Sequence, residues 1–222
     1  MPVIAAVAGM TIITGNLMAI PQHNIKRLLA YFGHRAHRLH ARRPRRVLEQ
    51  RYRDGALLPG RVLFGNMGAF FVVEAVARSE NSEEIDAYKG LAQRSPLLAL
   101  AMLIFLLSLG GIPFVAGFWA KLYVFLAAID RGMYGLVFLG AVLTVVALYY
   151  YLLVARRMYI EAPVRTDRIQ VSALLGLAIV ICLLGVVGMG AWPGPWVTAT
   201  QRAAASVFCA LWPRRSKPER SE

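Results

Sequence analysis

Five apolar segments, separated by shorter polar ones, dominate the pattern of the 222-residue chain. They cover residues 2–20, 62–77, 96–129, 133–158 and 171–192. About 20 consecutive apolar residues cross the ~30 Å hydrocarbon core of a bilayer as an α-helix. The pattern therefore predicts an all-α, polytopic membrane protein with about five spans in the sequence as it stands. We expect a membrane domain over residues 1–196 and a C-terminal tail over residues 197–222.

The composition supports this class. Hydrophobic residues make up 58% of the chain and the mean hydropathy is +0.53, an excess that a soluble domain of this size could hardly bury. The first apolar segment has no basic residues before it and no A-x-A site after it, so it is interpreted as a span and not as a signal peptide. Cys182 and Cys209 lie far apart without CxxC spacing, which argues against a metal or iron–sulfur site. No nucleotide-binding or catalytic-triad motif is present, and no cofactor is expected in this chain.

The segment 96–129 is too long for one simple span. Its 34 residues would form a helix of about 51 Å, well beyond the hydrocarbon core. Gly110, Gly111 and Pro113 stand near its middle, and proline removes a backbone donor while paired glycines ease unwinding. The sequence predicts a broken helix beside a buried polar cavity, since unpaired backbone groups do not face lipid.

Lys121 follows this predicted break by eight residues. A membrane lysine can extend to the interface, but the nearest predicted helix end is about two turns away. An ammonium group near mid-membrane costs about 2.5–3.5 kcal/mol, and such residues commonly line ion or proton pathways. Removal of a lysine from water also favours its neutral form, and reversible protonation requires that both the neutral and the charged form be accessible. Lys121 is therefore the principal functional candidate, with a snorkelling or structurally paired lysine as the alternative.

Other polar residues are secondary candidates. Lys26 follows the first span and is typical of a cytoplasmic flanking segment under the positive-inside rule. Glu74 precedes Arg78 by about one turn and is interpreted as an interfacial carboxylate.

Two further polar groups are assigned to packing and to the interface. The three tyrosines at 149–151 lie just before Arg156 and Arg157, a pattern typical of an aromatic belt. Asn16 and Thr14 could hydrogen-bond between helices.

Several segments resemble subunit N of NADH–quinone oxidoreductase, respiratory complex I. The resemblance rests on "GNLMAIPQHNIKRLLAY", "GNMGAFFVV", "IDAYKGLAQRSPLLALAMLIFLLSLGGIPFVAGFWAKLYVF" and "ALYYYLLVARRMY". It implies an antiporter-like helical bundle, with this chain similar to the second inverted repeat plus the final helix, about the C-terminal half. Lys121 matches the family's lysine on the broken helix, which belongs to a series of buried ionisable residues.

The resemblance also implies a function and a setting. We expect a proton-translocating subunit that couples quinone reduction to pumping, a translocase subunit without redox chemistry of its own. Its expected partners are the other membrane subunits of complex I and the lipid bilayer, in the bacterial cytoplasmic membrane, with quinone handled elsewhere in the complex. The alternatives are a subunit of a multisubunit cation/proton antiporter or membrane hydrogenase, or a fragment without function.

Residues 32–61 interrupt the resemblance. Eight arginines and three histidines lie between residues 34 and 53. Tyr52 is the single aromatic residue among them and a recognisable nucleic-acid-binding module is missing, so no nucleic-acid partner is expected, and a lipid-headgroup patch is the other alternative. Codons chosen for residues 32–46, read after removal of one base, encode "SGIGHTGYMLVGLVA", which carries the family's histidine motif and a hydrophobic stretch. We interpret residues 32–61 as a frameshifted segment. With the reading frame restored, the chain would have six spans.

Overall fold

The fold is a bundle of helices. The structure, a computed structural model, describes residues 2–33, 57–113, 115–130, 132–163 and 167–192, together with Gly194 and Thr198. The helices are α1 (Pro2–Ala19), α2 (Ile25–Gly33), α3 (Leu57–Glu80), a 3₁₀ helix (Ile85–Tyr88), α4 (Leu91–Arg94), α5 (Pro96–Gly110), α6 (Ala116–Ile129), α7 (Tyr134–Tyr159) and α8 (Ala173–Ala191). Within the described ranges, β-structure is limited to an isolated bridge between Asn24 and Glu84. The predicted all-α class is confirmed.

Helix α3 is longer than the apolar segment 62–77 from which it was predicted. It begins at Leu57 and continues to Glu80, past the polar residue Arg78. Hydropathy marks the apolar part of a helix, whereas backbone hydrogen bonding continues through polar residues with adequate helix propensity. The predicted segment 32–61 falls partly outside the described residues, which resume at Leu57, and most of the predicted tail does so as well.

Helix α5 lies at the centre of the bundle, where it packs against α3, α6, α7 and α8. Ala99, Met102 and Phe105 of this helix are fully buried. Their spacing of three residues places them on one face of the helix. The first half of the predicted broken helix therefore forms the core against which the other helices are positioned.

The outer faces of the bundle are apolar. Leu97, Phe138 and Leu174 are 80%, 73% and 81% exposed, on α5, α7 and α8 respectively. Of the described helices, α7 and α8 are long and apolar enough to cross a membrane by themselves, and α5 and α6 are shorter apolar helices. An apolar exterior around a packed core is the arrangement expected of helices surrounded by lipid.

A polar connector, residues 81–95, joins α3 to α5 and links several helix ends at one end of the bundle. The backbone N–H of Ile25 donates to the carbonyl of Glu83 at 3.1 Å, and the N–H of Ile85 donates to the carbonyl of His23 at 2.8 Å. Arg94 forms an ion pair of 2.6 Å with Glu80, and both side chains are largely buried. The connector therefore fixes the starts of α2 and α5 against the end of α3.

Candidate functional site at the helix break

Helix α5 ends at Gly110 through a hydrogen-bonded turn that glycine makes possible. Gly111 has φ of +85°, a left-handed conformation that is costly for residues with a side chain. Its N–H donates to the carbonyl of Ser108 at 3.0 Å, and the N–H of Ile112 donates to that of Leu107 at 3.1 Å. These two bonds form a Schellman motif. Pro113 lies in the following link, and the chain becomes helical again at Ala116.

The Lys121 side chain returns across this link to the end of α5. Its Nζ donates a hydrogen bond of 2.6 Å to the carbonyl oxygen of Gly110. The last carbonyls of a helix lack intrahelical partners and carry partial negative charge, so an ammonium group there is stabilised. The aliphatic part of Lys121 lies over Gly111, since a Cβ added to Gly111 would be 2.7 Å from the Cδ of Lys121. The structure thus brings Lys121, Gly110 and Gly111 together.

A cavity of about 190 Å³ adjoins the lysine. Its lining is mainly apolar and aromatic, in contrast to the polar cavity predicted from the sequence, and is formed by Gly111, Phe118, Lys121, Leu122, Phe125, Ala141 and Thr144. The Thr144 hydroxyl donates to the carbonyl of Gly140 in its own helix at 2.8 Å. The Lys121 side chain therefore lies between a mainly apolar cavity and the carbonyl oxygen of Gly110.

A second buried polar contact joins α1 to α7. Asn16 is fully buried, and the hydroxyl of Tyr150 donates to its Oδ1 at 3.5 Å. Asn16 thus makes the interhelical contact expected of it, whereas the hydroxyl of Thr14 donates to the carbonyl of Met10 within its own helix.

The prediction of an aromatic belt at 149–151 is wrong for two of the three tyrosines. Tyr150 and Tyr151 are only 4% and 1% exposed and belong to the core, while Tyr149 is 59% exposed. Consecutive helical residues point about 100° apart because the α-helix has 3.6 residues per turn. Three adjacent tyrosines therefore cannot all face the interface.

The secondary candidates Lys26 and Glu74 also meet. Lys26 lies 3.9 Å from Glu74 and 2.7 Å from Glu83 of the connector. Glu74 also pairs with Arg78 at 2.8 Å. Hydrogen bonds from Lys26 and from Asn24 lower the pKa of Glu83. These side chains are substantially exposed, so the cluster is a surface network beside the connector.

Ser108 and Gly117, which the sequence pattern does not single out, meet across the break. The N–H of Gly117 donates to the Ser108 hydroxyl at 3.2 Å. The signal for them was weak: one serine within a leucine-rich segment, and one glycine before Phe118.

The site lies inside the region that a known family matches. Residues 62–147 match the family model described as NADH:quinone oxidoreductase/Mrp antiporter, transmembrane. Subunit N of NADH-quinone oxidoreductase from Heliobacterium modesticaldum is 42% identical over 219 residues, 93% of this chain. The chain belongs to this antiporter-like family. Subunit N from Moorella thermoacetica is also 42% identical, over 91% of the chain.

Solved structures of this family, and of a more distant complex, share the fold. A chain of respiratory complex I from Thermus thermophilus, solved with bound aureothin, is 27% identical over 90% of this chain, with a TM-score of 0.65. A chain of an archaeal membrane-bound sulfane sulfur reductase has a TM-score of 0.75 at 22% identity, which supports the fold alone. The resemblance to subunit N is confirmed, and the chain is a multi-pass protein of a bacterial membrane.

The chain is shorter than the antiporter-like relatives it matches. It spans 44% of the Heliobacterium subunit, 43% of the Moorella subunit and 45% of the Thermus chain. The helix break and Lys121 both lie within the part of the chain that the family model covers.

Proposed function

We propose that the chain supplies part of a proton pathway in the membrane arm of an NADH–quinone oxidoreductase. In this proposal Lys121 takes up and releases the proton, and Gly110, Gly111 and Pro113 form the helix break that gives the lysine its partner. The single observation that carries the proposal is the 2.6 Å hydrogen bond between the Lys121 ammonium and the end carbonyl of α5.

The energetics favour a functional lysine over an incidental one. Placing an ammonium group within a bilayer costs about 2.5–3.5 kcal/mol on insertion scales. The carbonyl at the end of α5 offsets part of that cost, because hydrogen bonds to charged groups contribute about 1.5–3 kcal/mol. The neighbouring cavity is mainly apolar and offers little further compensation for the charge. An arginine at this position would remain charged at any physiological pH.

The remaining elements of the proposal follow from the family. NADH oxidation and quinone reduction take place in other subunits, and this chain conducts protons in response. Its partners are the remaining part of the antiporter-like subunit and the other membrane subunits. Lys26 and Glu74 are secondary candidates, since their exposed cluster with Glu83 lies beside the polar connector and could pass protons to or from water. A cation/proton antiporter subunit is the alternative within the same family, and its activity would not depend on NADH.

The test uses the complete complex in inside-out membrane vesicles, with proton uptake and NADH oxidation measured together. Lys121→Met is expected to lower the number of protons moved per NADH oxidised while the complex still assembles. Lys121→Arg should not restore pumping, because arginine does not release its proton in this range.

Lys89→Met serves as the matched control. Lys89 belongs to the connector, where it pairs with Asp86 at 3.4 Å and Glu161 at 3.7 Å. Partly exposed ion pairs of this type, which lie away from the helix break, contribute little, so this variant should pump normally. A wild-type proton-to-NADH ratio in the Lys121→Met complex would refute the proposed function.

A further inference from the structure

The two halves of the broken helix make a tight contact between Ser108 of α5 and Gly117 of α6. Ser108 is 3% exposed. Its Oγ accepts a hydrogen bond of 3.2 Å from the backbone N–H of Gly117. The two residues stand on opposite sides of the link that contains Pro113. We refer to this feature as the Ser108–Gly117 contact.

The hydrogen bond completes the start of α6. The first N–H groups of a helix have no intrahelical acceptor, and a polar side chain just before the helix normally accepts from the second or third residue. Val115 occupies that position in α6 and makes no such bond. Gly117 is the second helical residue, and Ser108 of the preceding helix supplies the missing acceptor. One interaction therefore caps α6 and joins it to α5.

The missing side chain at Gly117 sets the distance between the two half-helices. A Cβ added there would overlap the carbonyl oxygen of Ser108 and would lie 2.6 Å from its carbonyl carbon. Those atoms belong to the backbone of a buried helix and cannot rotate away as a flexible side chain could. Any larger residue at position 117 would thus displace α6 as a unit.

The contact also determines where Lys121 lies. Residues four apart in a helix share a face, so Lys121 stands one turn beyond Gly117 on the side that approaches α5. Ser108 stands two residues before Gly110, the acceptor of the lysine. When Gly117 is held against Ser108, the Lys121 ammonium therefore reaches the Gly110 carbonyl, and the observed distance is 2.6 Å.

We propose that Ser108 and Gly117 are positioning residues that hold the Lys121 ammonium at the carbonyl end of α5 and so set its competence in proton transfer. This inference rests on the proposed function of Lys121. Neither residue exchanges a proton itself: Gly117 provides the close approach, and Ser108 provides the cap that fixes the rotation of α6.

The experiment compares Gly117→Ala, Ser108→Ala and Ser108→Thr with Lys121→Met in the complete complex, again in inside-out vesicles. The readout is the number of protons moved per NADH oxidised, normalised to assembled complex, because general damage lowers the amount of complex and not this ratio. Gly188→Ala is the matched control, since an added Cβ at that α8 position meets no described atom within 4 Å.

Loss of coupling in both alanine variants, with coupling retained in Ser108→Thr and Gly188→Ala, supports the inference. The threonine keeps the hydroxyl that accepts from the N–H of Gly117. If Gly117→Ala does not assemble, the two Ser108 variants decide.

Wild-type coupling in the Ser108→Ala complex, together with impaired coupling in Lys121→Met, would overturn the inference and leave the proposed function intact. Equal losses in Ser108→Ala and Ser108→Thr would overturn it as well, because the hydroxyl would then have no part. Normal coupling in Lys121→Met would instead refute the proposed function itself.

Discussion

Replacing Gly111 by alanine should damage the site in two separable ways. Gly111 has φ of +85°, and an L-residue with a side chain pays about 1–2 kcal/mol for a left-handed conformation. The new Cβ would also lie 2.7 Å from the Cδ of Lys121, well inside the ~3.5–4.0 Å separation of carbon atoms in contact. The end of the lysine side chain must therefore shift, and we expect its 2.6 Å bond to the Gly110 carbonyl to be lost.

The size of the effect follows from these two contributions. Loss of a hydrogen bond to a charged group costs about 1.5–3 kcal/mol. With the backbone cost, Gly111→Ala should lower the free energy of unfolding by about 3–5 kcal/mol. Gly132→Ala isolates the backbone contribution, because Gly132 has φ of +69° and an added Cβ there meets no described atom within 4 Å. That variant should cost only about 1–2 kcal/mol.

The assay is denaturant unfolding of the purified chain in lipid–detergent micelles. Gly111→Ala should exceed Gly132→Ala by about 1.5–3 kcal/mol, and most of this excess should disappear when Lys121 is replaced by methionine in both chains. Equal destabilisation by the two glycine substitutions would show that the position of Lys121 over Gly111 is wrong.

Three further predictions concern the connector and the arginine-rich segment. Arg94→Met should destabilise the chain by about 3–5 kcal/mol, because it leaves the largely buried Glu80 without its partner at 2.6 Å, and adding Glu80→Leu should recover part of the loss in the same unfolding assay. The lowered pKa of Glu83 means that its bond to Lys26 stabilises the fold above the ordinary pKa of a glutamate and is lost as the pH falls through the lowered value. The stability difference between wild type and Glu83→Gln should therefore shrink on acidification, and a constant difference would contradict this. Tryptic peptides from the written 32–61 sequence should be missing from the purified complex if that segment is frameshifted, so their recovery at the abundance of flanking peptides would refute the hypothesis.

The sequence by itself determined the class of the protein and the composition of its break. Apolar segments of membrane-spanning length leave helices as the favoured structure, because a backbone within lipid must satisfy its own hydrogen bonds. The same local logic applies at Gly111 and Pro113, where a left-handed residue and a missing donor end α5 whatever surrounds it. Lys121 was identifiable because a charged residue within an apolar segment is costly wherever it points.

Only the tertiary structure decided which groups meet. Lys121 contacts the carbonyl of Gly110, which lies eleven residues earlier, because its side chain reaches across the link to the end of α5. The cap that Ser108 provides to Gly117, and the bond between Asn16 and Tyr150, likewise join separate helices. Local patterns reveal what a residue can do but not which helix face it occupies, since the rotation of each helix is set by packing against its neighbours. The burial of Tyr150 and Tyr151, which the pattern had assigned to the interface, has the same physical origin.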